Sequence, residues 1–287
     1  MALFEKKEKK EMEPQYYMSA TNIPTYNYNV YHMSKKEKII YFVIAFVVGA
    51  ALGYLFYGGI GKDEFDQATT LTYVLNVGIS TIVGVIAGIL FVPTRVEAII
   101  AKKKVELNRQ FRDMLEALTT SLNAGKNVND SFFAVYEDLK VQYDEDADII
   151  KELELIISGI NNNIPIESVL EDFGRRSGND DIKSFANVFA ISYRKGGNIK
   201  DVIKNTHSIL SDKMEIKEEI ETLVASNDME QKIMIIMPIA LVGVIKIMSP
   251  DFAKNFVSPA GLVSTTIAVI VFVIGYFVGK SIMKIKV

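Results

Sequence analysis

Residues 195–238 read KGGNIKDVIKNTHSILSDKMEIKEEIETLVASNDMEQKIMIIMP. Gly196-Gly197 breaks one helix and Asn198 is placed to cap the next. Ile199, Val202, Ile203, Ile209, Leu210, Ile216, Ile220 and Leu223 then recur at three- and four-residue steps, with Lys, Glu and Asp between them. That spacing puts a single apolar stripe on a water-exposed helix. After Asn227-Asp228 the character changes. From Ile233 through Pro238 to Ile245 the chain is apolar on every side, as a membrane-crossing helix must be. A soluble domain is joined here to a bilayer segment, and one continuous rod can make the joint.

Working outward, three further stretches have the length and composition of membrane spans. Residues 39–57 are nineteen residues without a charge, about 28 Å at a rise of ~1.5 Å per residue, close to the ~30 Å hydrocarbon core. Residues 71–92 form a second span, expected to end at Pro93. Residues 233–249 are the third and 262–279 the fourth, with Ser249-Pro250 and Ser258-Pro259 marking a short turn between them. Lys35, Lys36, Lys38, Arg95, Lys102, Lys103, Lys104, Lys232, Lys280, Lys284 and Lys286 flank the spans on one side, whereas the connecting turns offer Lys62 and Lys254. Positively charged flanks stay in the cytoplasm. Both termini and the middle domain, 95–232, are therefore expected inside, in a multi-pass protein of the cytoplasmic membrane.

Small residues recur along three spans: Ala45, Gly49 and Gly53; Ser80, Gly84 and Gly88; Gly275 and Gly279. In lipid such ladders let helix backbones approach closely, whether within one chain or between subunits. Lys246, the charge inside a span, lies near the outer end, where its amine can reach the headgroups. Residues 1–38 show no persistent period and include a Tyr- and Asn-rich stretch from Gln15 to Tyr31, so a disordered cytoplasmic tail is expected. Residues 280–287 form a short cytoplasmic tail.

The middle domain reads as about six helices. Leu107, Phe111, Met114, Leu115, Leu118 and Leu122 make one stripe, closed by Ala124-Gly125. Asn127 can cap the next helix, through Leu139. Asp144-Glu145-Asp146 is expected to open a third, Ile149 to Ile160. Asn163-Ile164-Pro165 opens a fourth to Phe173, Ile182 to Tyr193 is a fifth, and the Ile199 helix is the sixth. No window alternates as a strand would. The fold class is thus an all-α membrane protein, four transmembrane helices in two pairs flanking a cytoplasmic bundle. At the turns after Gly125 and Gly196-Gly197, glycine accepts the left-handed backbone that ends a helix, and Asn127 or Asn198 accepts a bond from a free first-turn N–H.

Chemistry is hard to find. Asp144, Asp146 and Asp148 have the spacing that opens a calcium loop, but Ile149 and Leu155 stand where glycine and the bidentate carboxylate are needed. Gly58-Gly59-Ile60-Gly61-Lys62 lacks the spacing and following hydroxyl of a phosphate loop. The absence of cysteine excludes disulfides and thiolate metal sites. His207 lies on a charged helix and reads as a surface residue, and no paired carboxylates stand out. No enzyme activity, metal or cofactor is expected. Residues 95–232 hold 26 acids and 19 bases, a net of −7, which argues against nucleic acid as a partner.

Leu115 to Val135, with Ser121-Leu122-Asn123-Ala124-Gly125 leading into Val128 and Phe132, resembles the type II secretion system F family. So do Ile166-Glu167-Ser168-Val169-Leu170 with Arg176, Gly196-Gly197-Asn198-Ile199, and Glu219-Ile220 through Ala225 to Pro238. The resemblance covers about residues 100–245. Two spans before one such domain and two after are similar to the Tad (tight adherence) pilus platform proteins. Where family members commonly carry a larger residue and leucine after the first glycine, this chain has Lys126-Asn127.

The resemblance implies an inner-membrane platform on which pilin or pseudopilin subunits are assembled, driven by a separate cytoplasmic secretion ATPase. It also implies a second platform protein or self-oligomer beside it. Pro238 removes a backbone bond within the third span and can act as a coupling kink, or as a static one. The exposed acids Glu137, Asp138, Asp144, Glu145 and Asp146 are the expected ATPase contact. A small-solute transporter or channel subunit is the alternative, which needs polar groups at mid-membrane where the spans offer Asn76 and Lys246. A signalling receptor is the other, which favours a larger outer domain than these turns allow.

Overall fold

The computed structural model describes residues 14–62 and 67–283. Two short strands, β1 (Tyr16–Met18) and β2 (Pro24–Tyr26), precede α1 (Lys35–Tyr57), α2 (Thr70–Asn123), α3 (Val128–Gln142), α4 (Asp148–Asn161) and α5 (Ile166–Ser177). There follow α6 (Asp180–Arg194), α7 (Ile199–Met248), α8 (Pro250–Val257) and α9 (Pro259–Met283). The chain divides into two compact units. One joins the segment ending at His32 to Val96–Met214, and the other joins Met33–Arg95 to Glu215–Val287.

The first unit contains α3 to α6 with the C-terminal part of α2 and the N-terminal part of α7. Its helices start and stop where side-chain chemistry dictates. Asn127 accepts from the Asp130 N–H at 2.8 Å and opens α3. Ala147 offers α4 no side-chain cap, and the buried Gln110 amide oxygen on α2 takes the Ile149 N–H instead, at 3.0 Å. Helix α5 stops at Gly178 in the left-handed region, and Asn179 then accepts from Asp181 and Ile182 to start α6. A Cβ at Gly174 would lie 3.0 Å from the Lys183 Cα, so its absence brings α5 against α6. Leu107, Phe111, Met114, Leu115 and Leu118 of α2 are fully buried, and the Phe111 ring meets Phe173 and Phe185 edge-on. That is the apolar stripe read from the sequence, placed in a shared core.

In the second unit four helices carry a membrane-length apolar window, Lys35–Tyr57, one within α2, Met229–Met248 and Pro259–Gly279, and the eight-residue α8 carries none. No more than 11% of any window is buried inside the chain, so nearly all of that apolar surface has to be covered by something other than this chain. Among the described residues four helices are long and apolar enough to cross a membrane, as a multi-pass membrane protein requires. Ser34 and Glu37 form a reciprocal capping box at the start of α1. The glycine ladders of α1 and α2 face each other: a Cβ on Gly49 would stand 2.6 Å from the Ala87 Cβ, and one on Gly53 3.1 Å from the Ser80 Cα. Phe42 and Phe46 fill the space over Gly88 and Gly84. Gly279 lies beside Gln231, while Gly275 has nothing within 4 Å.

Four expectations are corrected. Residues 14–33 are folded: β1 and β2 pair antiparallel, and Tyr28 and Met33 are buried, while residues 1–13 of the expected disordered tail lie outside the described residues, as do 284–287 at the other end. Helix α2 does not end at Pro93 but runs through it. Pro93 leaves the Ile89 carbonyl, four residues back, without its helical donor, and the Thr94 hydroxyl next to it donates to the Phe91 carbonyl at 2.7 Å. Asp144-Glu145-Asp146 lies in the turn before α4, which starts at Asp148. Residues 250–257 form the helix α8 rather than a plain turn.

Candidate functional site

Helix α5 places Asp172 and Arg176 one turn apart on its inner face, and α4 presents Glu152 to them from the middle of its apolar stripe. Arg176 is 0% exposed and Glu152 2%. The Arg176 Nε donates to Asp172 Oδ2 at 2.7 Å, and its two terminal nitrogens each donate to one oxygen of Glu152. The same guanidinium reaches the Tyr26 carbonyl at 3.3 Å. The planar fork of arginine suits this double engagement, which an ammonium group does not reproduce.

The N-terminal strands close this cluster as a strap. The Tyr28 hydroxyl donates to Glu152 at 3.0 Å, and the Tyr28 N–H donates to the Arg176 carbonyl, also at 3.0 Å. Asn29 donates to the same carbonyl, while Lys104 of α2 donates to the Asn29 side chain and to the Gly178 carbonyl. Lys103 sits 4.2 Å from the centre of the Tyr26 ring, and Arg175 lies over Tyr17. The strap is therefore attached mainly by polar contacts to three helices, with Tyr28 its buried anchor.

Two carboxylates and one guanidinium are removed from water here, and exposed Arg175 supplies Asp172 with a second cation. Burial pushes the Glu152 carboxyl above its ordinary range even though Arg176 acts to lower it. Burial likewise opposes the Arg176 charge, yet the bonds from Glu152 and Asp172 hold its proton more tightly than in water. Burial first, then the adjacent Glu152 charge, pushes the Tyr28 hydroxyl well above the usual phenol value. Tyr28→Phe should leave Glu152 short of one donor and cost about 1–3 kcal/mol, measurable as a lower denaturation midpoint of the full chain.

A second polar node lies between α2 and α3. Tyr143 donates to Asp113, which Arg112 also engages at 2.9 Å. Burial, followed by the bond to Asp113, pushes the Tyr143 phenol up to about 12. Burial does the same for Tyr26, with nearby Tyr16 and Asp148 adding to it. Both phenols hold their protons more tightly folded than unfolded. Their contribution to stability is complete below pH 10 and is lost as pH rises from about 10 through about 12. Tyrosinate absorbance should show late-titrating phenols in the folded chain, with one fewer in Tyr143→Phe; a single transition near pH 10 would contradict this.

Comparison with family models, curated proteins and solved structures returns no match. Function must then be read from the geometry alone. Among the described residues no three His, Cys, Asp or Glu side chains gather as metal ligands.

Of the residues singled out in the sequence, Arg176 is in the buried cluster. Gly125 and Gly196 take the expected left-handed backbone, at φ +86° and +68°, in open turns where an added Cβ would meet nothing within 4 Å. Gly197 N–H closes its turn on the Ser192 carbonyl, and Asn198 accepts from the Asp201 N–H at 3.4 Å. Glu137, Asp138, Asp144, Glu145 and Asp146 are all exposed on α3 and the turn after it, and Asp146 pairs with Lys151. Pro238 lies within α7. Lys246 does not simply extend into the headgroup zone. Its amine is 3.5 Å from the carbonyls of Phe56 and Gly58, at the end of α1, where helix carbonyls lack donors.

Glu152, Asp172 and Tyr28 were missed. The available signals were an acid at Glu152 in helical register with Ile149 and Ile156, and the four-residue step from Asp172 to Arg176. Nothing local pointed to Tyr28.

Proposed function

We propose that this chain is an inner-membrane platform protein of a Tad-like pilus or type II secretion assembly machine, coupling a cytoplasmic ATPase to pilin extrusion. One observation carries the reading. Helices α2 and α7 each contain both a membrane-length apolar window and residues of the Val96–Met214 unit. In the proposed arrangement two span pairs flank a cytoplasmic bundle of six helices, with both termini inside the cell. Force applied to the bundle is passed to the membrane through the shared helices, and the cluster around Arg176 keeps the loaded bundle from giving way. Pro238 is the proposed flexing point.

The transporter alternative draws less support. Asn76 accepts the Gly59 N–H at 2.9 Å and Lys246 caps α1, so the amide and the charge considered for a mid-membrane path both have local structural duties.

Substituting Pro or Asp at Ile220, on α7 between the apolar window and the bundle, should abolish pilus assembly while the protein still inserts and accumulates. Normal piliation in a stably expressed variant would remove the coupling role. Reversing Glu137, Asp138, Asp144, Glu145 and Asp146 should release the ATPase in a pull-down from native membranes; unchanged recovery would remove these acids as its contact.

A further inference from the structure

Arg95 stands just past the apolar run of α2, and no carboxylate among the described residues pairs with it. Its guanidinium lies 5.3 Å from the centre of the Tyr41 ring of α1. That ring also meets Phe91, one turn before Arg95 on α2, with centres 6.5 Å apart. Among the described residues Arg95 forms no ion pair, so the contact with Tyr41 positions its charge without neutralising it. The N–H edge of the guanidinium stays open while its carbon sits over the ring.

Helix geometry adds charge at the same place. Lys38 precedes Tyr41 by three residues and shares its face of α1, and Lys35 precedes Lys38 by three more. Lys35, Lys38 and Arg95 are all exposed. The acid of this turn, Glu37, is directed back to the Ser34 N–H at 2.8 Å in the capping box. Ile39 opens the uncharged run of α1, and Arg95 follows that of α2 by three residues. The cations and the two rings therefore lie at the ends of two membrane-length windows, the level at which headgroups begin. Leu90 and Phe91, 62% and 40% exposed, continue from Arg95 as apolar surface.

We propose that Arg95, seated on Tyr41, and Lys38 bind the phosphate of an anionic glycerophospholipid at this end of the α1–α2 pair, with acyl chains along Leu90 and Phe91. The planar fork of arginine matches two phosphate oxygens, and the ring fixes the direction in which the fork points. Lys38 adds a second cation on the α1 side, so the lipid bridges the two helices. A choline lipid carries the same phosphate, but its quaternary ammonium cancels the charge and is repelled by Lys35 and Lys38. The proposal requires that the helices cross a membrane and is independent of the platform reading.

The test uses the full chain in nanodiscs of phosphatidylcholine with a minor fraction of phosphatidylglycerol, reading lipid retention by native mass spectrometry. The wild-type chain should retain phosphatidylglycerol in preference to phosphatidylcholine. In Lys38→Gln/Arg95→Gln the preference should fall by roughly tenfold or more. Both side chains are exposed, so thermal unfolding in phosphatidylcholine alone should match the wild type. Arg95→Lys keeps the charge but loses the flat stack and the fork, and should lose part of the preference. Lys126→Gln, in the exposed turn after α2 in the other unit, should keep all of it. Equal retention of both lipids by the wild type, or an undiminished preference in the double variant, overturns the proposal. A full preference in Arg95→Lys also overturns it, leaving only diffuse attraction to a charged surface. So does displacement of the retained lipid by inorganic phosphate, which would assign the cations to a soluble ion.

Discussion

Arg176→Met should destabilise the first unit by about 3–5 kcal/mol, because it strands Glu152 and leaves Asp172 only its exposed partner Arg175. The effect exceeds the value of any single hydrogen bond in the cluster, since the remaining carboxylate is buried without its cation. Against a typical total of ~5–15 kcal/mol, such a loss puts a large fraction of molecules within reach of unfolding. It should also free the strap, which borrows the Arg176 side chain and carbonyl for Tyr26, Tyr28 and Asn29. Pulse proteolysis of the detergent-solubilised chain reads both effects. Arg176→Lys should recover only part of the loss, since an ammonium cannot bridge both oxygens of Glu152 and still reach Asp172. Combining Arg176→Met with Glu152→Leu should be milder than Arg176→Met alone, as removing both charges removes the penalty of the unpaired one. A loss below about 1 kcal/mol for Arg176→Met would mean that the cluster does not hold the unit together.

Gly49→Leu is the second large effect. The space its Cβ would occupy already holds Ala87 at 2.6 Å, with the Gly84 backbone at 3.1 Å and the Val83 carbonyl at 3.2 Å. Backbone cannot step aside as a flexible side chain can, so α1 and α2 must separate. Overpacking of this kind costs about 1–3 kcal/mol in water-soluble cores. In lipid, where close approach supplies most of the association, separation forfeits the contacts of the whole ladder. Tyr41 and Phe91 have ring centres 6.5 Å apart at one end of this helix pair. A short thiol crosslinker between Tyr41→Cys and Phe91→Cys should therefore react efficiently in the parent and poorly with Gly49→Leu added. Gly275→Leu, at a position with no neighbour within 4 Å, should leave the yield unchanged. Equal yields in all three would contradict the ladder as the α1–α2 contact.

The membrane windows and most helix boundaries were readable because each rests on a local regularity: an uninterrupted apolar run, a stripe at helical steps, or an asparagine placed to cap. Pro93 shows where a local rule is overridden. A proline ends most soluble helices, but α2 continues through Pro93, as helices at membrane depth tolerate. The strap shows a different limit. Gln15 to Tyr31 has no apolar stripe, and its order comes from Arg176, Glu152 and Lys104, groups 75 or more residues distant in the chain. Such attachment leaves no periodic trace. Arg176 itself stood out through its resemblance to a family pattern, whereas its role required the partners on α4 and the strap to be seen. Lys246 was legible as an anomaly in an apolar run, but the α1 carbonyls it caps lie nearly 190 residues earlier, at Phe56 and Gly58.

The natural chain contains no cysteine, so any introduced thiol is unique. Single cysteines at Lys126 and Glu145 of the first unit, and at Ile60 and Asn255 between the membrane windows, can each be challenged in intact cells with a membrane-impermeant maleimide. The cytoplasmic-platform reading requires that the Ile60 and Asn255 positions react from outside, and that Lys126 and Glu145 react only after the membrane is opened. Labelling of Lys126 or Glu145 in intact cells would put the helical bundle outside, beyond the reach of any cytoplasmic ATPase.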